Sequence, residues 1–527
     1  MEIVLNTSFR KWFQSDNCYS IGYAFIENNL LEDFQLCSYL YQKIEQNSLH
    51  RSLCELNGTF AAIIKYQDYY YLITDQIRSF PLLYGKIGNR YFISDSIFDI
   101  EEYLKGEDVD NLAVAEFYAM GYLSGSKTLF TQIKNVEAGT YIIFSETTAK
   151  IIEYHRHIYP KLKERNDDIL IDFGQDILEK AFARMLYTIG TRQIVIPLSG
   201  GYDSRVIACL CKKFNVVNVV CFTYGPSNSP EIGISEKVAR SLGFEWYYVE
   251  YTGREWLDIY DSKEYNNYLK FAGNLNAEPC IQDFFAIKEL LRKKIINENA
   301  VVVPGHSADL LGGSHLPKSY SYSLWNLLYD KYYNANLLRL RYERKLKREL
   351  REKFRSKSHS KEDFLNEFNN WGIKVRQSHF VINSVRLYEY FGLDWRLPLW
   401  DSEFSKFWNS IPWDKKENSY LYHYFLFEKY FNKYNVAIYK KKDVENACSI
   451  LLCKILPYWL WFIMRRIKKV IVKDGTIDIN SFSALIDIYK ETCDKDRKFL
   501  KKRYSTINSY LPVYYVQMYK ILAELNK

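Results

Sequence analysis

The sequence predicts an α+β segment built on antiparallel hairpins, followed by an α/β segment with a parallel sheet and a helical C-terminal part. Three observations carry this. Up to about residue 155, short apolar runs pair across polar turns. From about residue 165, apolar strands alternate with amphipathic helices, the pattern of crossover connections. Beyond about residue 320 the apolar spacing is mostly helical. A chain of 527 residues is too long for one core. The predicted units are 1–160, 161–445 and 446–527.

In the first unit, "TFAAIIKYQDYYYLITD" reads as a hairpin turning at Gln67-Asp68. "YGKIGNRYFISD" repeats the pattern at Gly88-Asn89, and "GTYIIFSETTAKIIEYH" gives a third hairpin. Between them, "NLAVAEFYAMGYL" has helical spacing. In the second unit, "DILIDFGQDILEKAFARML" is an amphipathic helix and "QIVIPL" a buried strand. "VVNVVCFTYG", "SPEIGISEKVARSLGF" and "EWYYVEY" continue as strand, helix and strand, with Gly243 ending the helix. "NAVVVPGHSADLLGG" adds one more strand and a glycine-bearing loop.

With 48% hydrophobic and 25% charged residues, the composition is that of an ordinary globular protein. The ten cysteines are scattered without a CxxC pair, so no zinc framework is expected. Reduced thiols in a cytoplasmic protein are the expectation. "MEIVLNTSFRKWF" lacks the apolar core of a secretory signal. The net charge of +8 is uneven: Arg339 to Lys357 carries ten basic residues against three acidic. That stretch reads as a solvated helix with i,i+4 pairs such as Glu349–Lys353, or as a surface for anionic partners. Ala447 to Met464 is apolar but is interrupted by Lys454 and Pro457. It reads as a buried or amphipathic helix, with peripheral contact at the inner membrane face as the second reading.

The chemistry concentrates in "VIPLSGGYDSR". Ligands of an open parallel sheet sit at the carboxyl ends of its strands. Ser199, Gly200 and Gly201 leave backbone amides bare there, and the helix that follows adds the positive end of its dipole. The hydroxyls of Ser199 and Ser204 can donate to phosphate. Asp203 would repel phosphate alone, which points to a shared Mg2+. Neither GxxxxGK[ST] nor GxGxxG is present.

"PLSGGYDSR" resembles the pyrophosphate loop of the ATP-pyrophosphatase family, and specifically the synthetase domain of asparagine synthetases. "VVVPGHSADLLGG" is similar to that family's second signature, Gly-Glu-Gly-Ala-Asp-Glu-Leu-Phe-Gly-Gly, with Gly305, Ala308 and Asp309 matching. "RLPLWD" at 396–401 resembles a further segment, and "LNGTFAAII", "DQIRSFPLLYG", "FISDS" and "TLFTQIKNVEAGTYIIF" follow the landmarks of the glutaminase half. The resemblance implies an Ntn-hydrolase-like first domain and an adenine nucleotide α-hydrolase-like second domain. It implies ATP and Mg2+ as cofactors, with Asp203 and Asp309 on the metal. Leu198, Ser199, Gly200, Gly201, Asp203, Ser204, Thr223 and Gly305 would bind ATP and pyrophosphate, and Lys441 or Lys442 would neutralise the departing charge.

Two departures qualify what the resemblance implies. The family's glutaminase begins with a nucleophilic cysteine, whereas Glu2 follows Met1 here. The first domain is therefore expected to be degenerate, with nitrogen coming from ammonia, a separate glutaminase or an amine on the acceptor. His306 stands where the family has a glutamate, and is a candidate general base. Leu310 replaces a second acidic residue.

The expected function is an amide-forming ligase that adenylates a carboxylate, releasing AMP and pyrophosphate. The acceptor is aspartate or a uronic acid of a polysaccharide precursor. The alternatives are a macrolactam- or β-lactam-type cyclase and a non-catalytic ATP-binding relative. Nucleic acid is not an expected partner, because a nucleic-acid-modifying relative would leave the first unit unexplained.

Overall fold

The computed structural model describes residues 1–317, 323–333, 338–355, 360–438, 481–493 and 507–524. The first lobe holds β1 (Glu2–Val4), β2 (Phe13–Ser15), β3 (Cys18–Ile26), β4 (Asn29–Glu32), α1 (Asp33–Glu45), α2 (Leu49–Glu55), β5 (Asn57–Tyr66), β6 (Tyr69–Thr74), β7 (Leu83–Ile87), β8 (Arg90–Ser94), α3 (Asn111–Met120), β9 (Ile133–Asn135), β10 (Thr140–Phe144) and β11 (Ala149–Glu153). Its larger sheet runs β11-β10-β6-β5-β3-β2, with β4 also on β3, and its smaller sheet runs β1-β8-β7-β9. All pairings are antiparallel except β1 with β8.

The side-chain alternation of β5 explains why its sequence is apolar without a break. Ala61 and Ile63 pack into the core shared with Leu83, Tyr84 and Phe92 of the second sheet. Phe60, Ala62 and Ile64 face the opposite way, onto Leu36, Leu40 and Leu53 of α1 and α2. A strand buried on both faces keeps its period of two but loses the polar half of the alternation. The predicted turns fall where expected, with Tyr66 paired to Tyr69 and Ile87 to Arg90. Gln67 and Gly88 take left-handed φ values of 54° and 57°. Asp110 caps α3 through the amides of Leu112 and Ala113.

One expectation is corrected here. Cys18 and Cys37 form a disulfide, with Cα atoms 6.0 Å apart, so not all thiols are reduced. α1 packs across β3 and brings together two cysteines whose spacing in the chain gives no hint of pairing.

The second lobe continues with α4 (Asp167–Ile189), β12 (Ile194–Pro197), α5 (Tyr202–Lys213), β13 (Val219–Gly225), α6 (Pro230–Leu242), β14 (Glu245–Glu250), α7 (Arg254–Ile259), α8 (Lys263–Gly273), α9 (Phe284–Arg292), β15 (Val301–Val302), α10 (Ala308–Gly312), α11 (Leu324–Tyr332), α12 (Leu340–Lys353), α13 (Lys361–Trp371), α14 (Arg386–Tyr390), β16 (Asp394–Trp395), α15 (Ser402–Ser410) and α16 (Tyr420–Leu426). The helices Ser483–Cys493 and Ile507–Glu524 follow. Asn166 caps α4 through the amides of Asp168 and Ile169, and Gly243 ends α6 at φ 77°. The sheet order is β14-β13-β12-β15-β16, all parallel. The chain therefore travels outward from β12 to β14, then returns to lay β15 on the other side of β12.

The basic stretch forms the amphipathic α12, anchored by buried Tyr342, Leu346 and Leu350. Its predicted Glu349–Lys353 pair is not formed. Glu349 instead reaches Lys127 of the first lobe at 2.6 Å, and Glu343–Lys347 at 2.8 Å is the i,i+4 pair present. The two lobes are also locked together by Arg10, which pairs with Asp95 at 2.7 Å and with Glu389 at 3.0 Å, all buried. Among the described residues, no helix is long and apolar enough to cross a membrane. The apolar run Ala447 to Met464 lies outside them.

Candidate active site

Reversal of the strand order between β12 and β15 opens a crevice at their carboxyl ends, where ligands of such sheets bind. The loop Leu198–Gly201 leaves β12 and the loop Val303–Ser307 leaves β15, and a cavity of about 740 Å3 lies between them. Ser199, Gly201, Asp203, Ser204, Gly305, His306 and Asp309 all line it. Leu198, Gly200 and Thr223 are buried and do not appear in its wall. Their role is support: the Thr223 hydroxyl donates to the Leu198 carbonyl, and the Leu198 amide to Phe222 O at 2.8 Å. Lys441 and Lys442 lie outside the described residues.

Each loop is shaped by a local requirement. A Cβ on Gly305 would sit 2.1 Å from Ser204 N and 2.6 Å from the Asp203 carbonyl carbon. Only glycine lets the second loop lie against the first turn of α5. Gly201 precedes α5 without a side-chain cap, so the helix N-terminus opens into the cavity. The Ser199 hydroxyl accepts from the Gly201 amide at 3.0 Å and lies 3.2 Å from the Ser204 hydroxyl. A phosphate would replace these internal bonds with charge-assisted ones. Ser307, Asn418 and Ser419 line the cavity with left-handed φ values of 76°, 55° and 59°. Such strain is stored where the surrounding structure over-determines the backbone.

The two aspartates meet across the crevice. The Asp309 amide donates to Asp203 Oδ2 at 3.1 Å, and the Tyr422 hydroxyl donates to Asp203 Oδ1 at 2.7 Å. Asp309 Oδ2 accepts from the Ser314 hydroxyl at 2.9 Å. Two carboxylates on one cavity, next to bare amides, are the hard-oxygen donors that a Mg2+ shared with phosphate requires. Among the described residues, no group of three or more His, Cys, Asp or Glu could hold a metal by itself.

His306 sits in the same wall, with Nε2 3.3 Å from the Ser384 hydroxyl and Nδ1 buried without a partner. Burial lowers its imidazole to about 4, so the ring is neutral at physiological pH. In the same wall, half-buried Asp283 accepts from Tyr224 at 2.5 Å and from Tyr388 at 2.9 Å, and desolvation raises its carboxyl. Behind the loop, buried Arg205 donates to Gly200 O at 3.2 Å, Val436 O at 3.0 Å and Ile438 O at 2.8 Å. The motif reading did not single out Tyr422, Ser314, Asp283, Ser384 or Tyr388. Tyr422, Ser384 and Tyr388 come from α16 and from the helical stretch through α14, where local sequence carries no motif. "PLSGGYDSR" does contain Arg205, but only the folded chain shows what it reaches.

Parts of the chain are similar to known proteins. Residues 174–431 match the asparagine synthase family model. A mimivirus protein named as a probable glutamine-hydrolysing asparagine synthetase is 24% identical over 255 residues, covering 45% of this chain and 44% of that one. A protein of Methanocaldococcus jannaschii with a provisional name of the same kind is 23% identical over 307 residues, 55% of each chain. The chain thus spans about half the length of the curated relatives it matches. The solved NH3-dependent NAD synthetase of Campylobacter jejuni is 18% identical, covering 28% of this chain and 61% of that one, at a TM-score of 0.19. The loops after β12 and β15 both fall inside residues 174–431, the segment of the chain that is similar to the asparagine synthase family.

Proposed function

We propose that the protein is an ATP-dependent ligase that adenylates a carboxylate, releases pyrophosphate, and passes the acyl group to an amine. One observation carries this: Asp203 and Asp309, in the first turns of the helices that follow two adjacent parallel strands, converge on a cavity rimmed by the N-terminus of α5. Asp203 and Asp309 would hold Mg2+, which when bound neutralises phosphate charge during the transfer. The amides and hydroxyls of Ser199 to Ser204 orient the pyrophosphate portion. An oxygen of the substrate carboxylate attacks the α-phosphorus, and the bond from that phosphorus to the β-bridging oxygen breaks. An amine then adds to the acyl carbon, the carbon–oxygen bond to AMP breaks, and a proton leaves the nitrogen. Neutral His306 is placed to take that proton. Lys441 or Lys442 is proposed to meet the pyrophosphate.

Two further points support the finer reading. Among the described lining residues, no lysine or arginine is present to pair with a second carboxylate. This favours an acceptor with one carboxylate on a neutral polar body, such as a uronic acid, over free aspartate. No cysteine of the first lobe is an activated thiolate. Cys18 and Cys37 are bonded to each other, and burial pushes the Cys54 thiol up. Nitrogen is therefore proposed to come from ammonia or from a separate glutaminase.

Isotope transfer tests the chemistry. With an acceptor carrying 18O in its carboxylate, label in AMP supports adenylation. Label in inorganic phosphate would show an acyl-phosphate route and overturn the reading.

A further inference from the structure

A second and larger cavity, about 1080 Å3, lies between the lobes and does not share a lining residue with the first. Glu137, Glu153 and Arg156 of the first lobe form one side, and α11, the end of α12 and α13 form the other. Its charges divide into two groups. The acids are already engaged: Glu153 pairs with Lys374, Glu367 with Arg156 at 2.7 Å, and Asp363 accepts from Ser360 at 2.8 Å. Glu137 is the remaining acid, and it faces the buried guanidinium of Arg78 electrostatically.

The bases at the end of α12 are not engaged in this way. Arg351, Lys353 and Arg355 line the cavity, are exposed, and make no ion pair or side-chain hydrogen bond among the described residues. Glu349, the acid four residues before Lys353, is turned away to Lys127. Trp325, Phe354, Phe364 and Trp371 supply aromatic walls beside these cations.

We propose that this cavity is a second ligand site, for a small phosphate-bearing molecule with a ring-shaped body. Three cations without carboxylates on one rim suit a dianion, and arginine matches phosphate with paired donors. The aromatic walls suit the flat face of a sugar or similar ring. A concave site fits a small molecule better than a membrane surface, which calls for a convex or flat basic face. The site has a route to the first cavity. The continuous helical stretch from Lys361 to Tyr390 lines the second cavity at Asp363 to Val375 and the first at Ser384 and Tyr388. The proposal does not depend on the ligase reading.

Calorimetric titration of the full-length protein with glucose 6-phosphate, inorganic phosphate and glucose tests it. Glucose 6-phosphate is expected to bind more tightly than either part alone. The Arg351→Ala/Arg355→Ala variant is expected to lose about tenfold or more in that affinity while binding ATP as the wild type does. Trp325→Ala should weaken glucose 6-phosphate and leave inorganic phosphate unchanged. The proposal is overturned by no binding at millimolar concentration, by equal binding in the double arginine variant, or by binding that Asp203→Asn abolishes. Binding confined to phosphatidylserine vesicles would also overturn it, in favour of a membrane contact.

Discussion

The backbone amide of Asp309 donates to Asp203 Oδ2 at 3.1 Å, although the two residues lie 106 positions apart in the chain. The bond joins the loops after β12 and β15 and fixes the spacing of the two carboxylates. Asp203→Asn removes the charge and keeps one acceptor oxygen for the Asp309 amide, while its side-chain NH2 can donate to the Tyr422 hydroxyl in place of the bond Tyr422 now donates. Pyrophosphate exchange should fall on the order of 100-fold or more, with an unchanged circular dichroism spectrum and melting temperature. Near-normal exchange would remove Asp203 from the metal site.

Gly305 has no room for a side chain. In Gly305→Ala the new methyl must displace the first turn of α5, because the neighbouring atoms are backbone. A loss of about 1–3 kcal/mol is expected, read as a lower urea midpoint, with a larger loss in ATP affinity than in stability. Unchanged ATP affinity would mean that the two loops need not touch.

Arg205 ties the first loop to the chain at 436–438 through three carbonyls. Arg205→Met removes the guanidinium from all three carbonyls, of which Val436 O keeps the Ile438 amide, at a cost of about 1–3 kcal/mol. Hydrogen exchange should quicken in 436–438. Arg205→Lys should rescue little, because one ammonium cannot reproduce the guanidinium fork.

His306 gives a pH signature of defined sign. An unfolded imidazole titrates near 6.5, whereas the folded one is held down to about 4 by burial. Above pH 6.5 both states are neutral and the group contributes no pH dependence. Between pH 6.5 and 4 the unfolded chain takes up a proton that the folded chain does not, so stability is lost as pH falls. The stability difference between wild type and His306→Asn should be flat above pH 6.5 and fall below it, by at most about 1.4 kcal/mol per pH unit. A difference that grows on acidification would place a carboxylate beside the ring.

The hairpins at Gln67-Asp68 and Gly88-Asn89, the helices α3 to α6 and the strands β12 to β14 were legible because turn residues and apolar period are local signals. β1, β2 and β4 are three or four residues long and half-exposed, and were not predicted. Their pairing partners decide them, and β1 pairs with β8, some 90 residues away. The part of the cavity wall formed by Ser199 to Ser204 and Gly305 to Asp309 was legible, since those residues sit in two short segments. The half formed by Asp283, Ser384, Tyr388 and Tyr422 was not, because helical packing brings those residues together. Glu349 shows the same limit: i,i+4 spacing pointed to Lys353, and a contact with the other lobe won.

The most direct test of the adenylation chemistry is exchange of labelled pyrophosphate into ATP by the purified protein with Mg2+, across aspartate, free and nucleotide-linked uronic acids and small amino acids. Adenylation requires exchange that depends on one monocarboxylate and disappears in Asp203→Asn. Formation of ADP and phosphate with that carboxylate, without any pyrophosphate exchange, would contradict it.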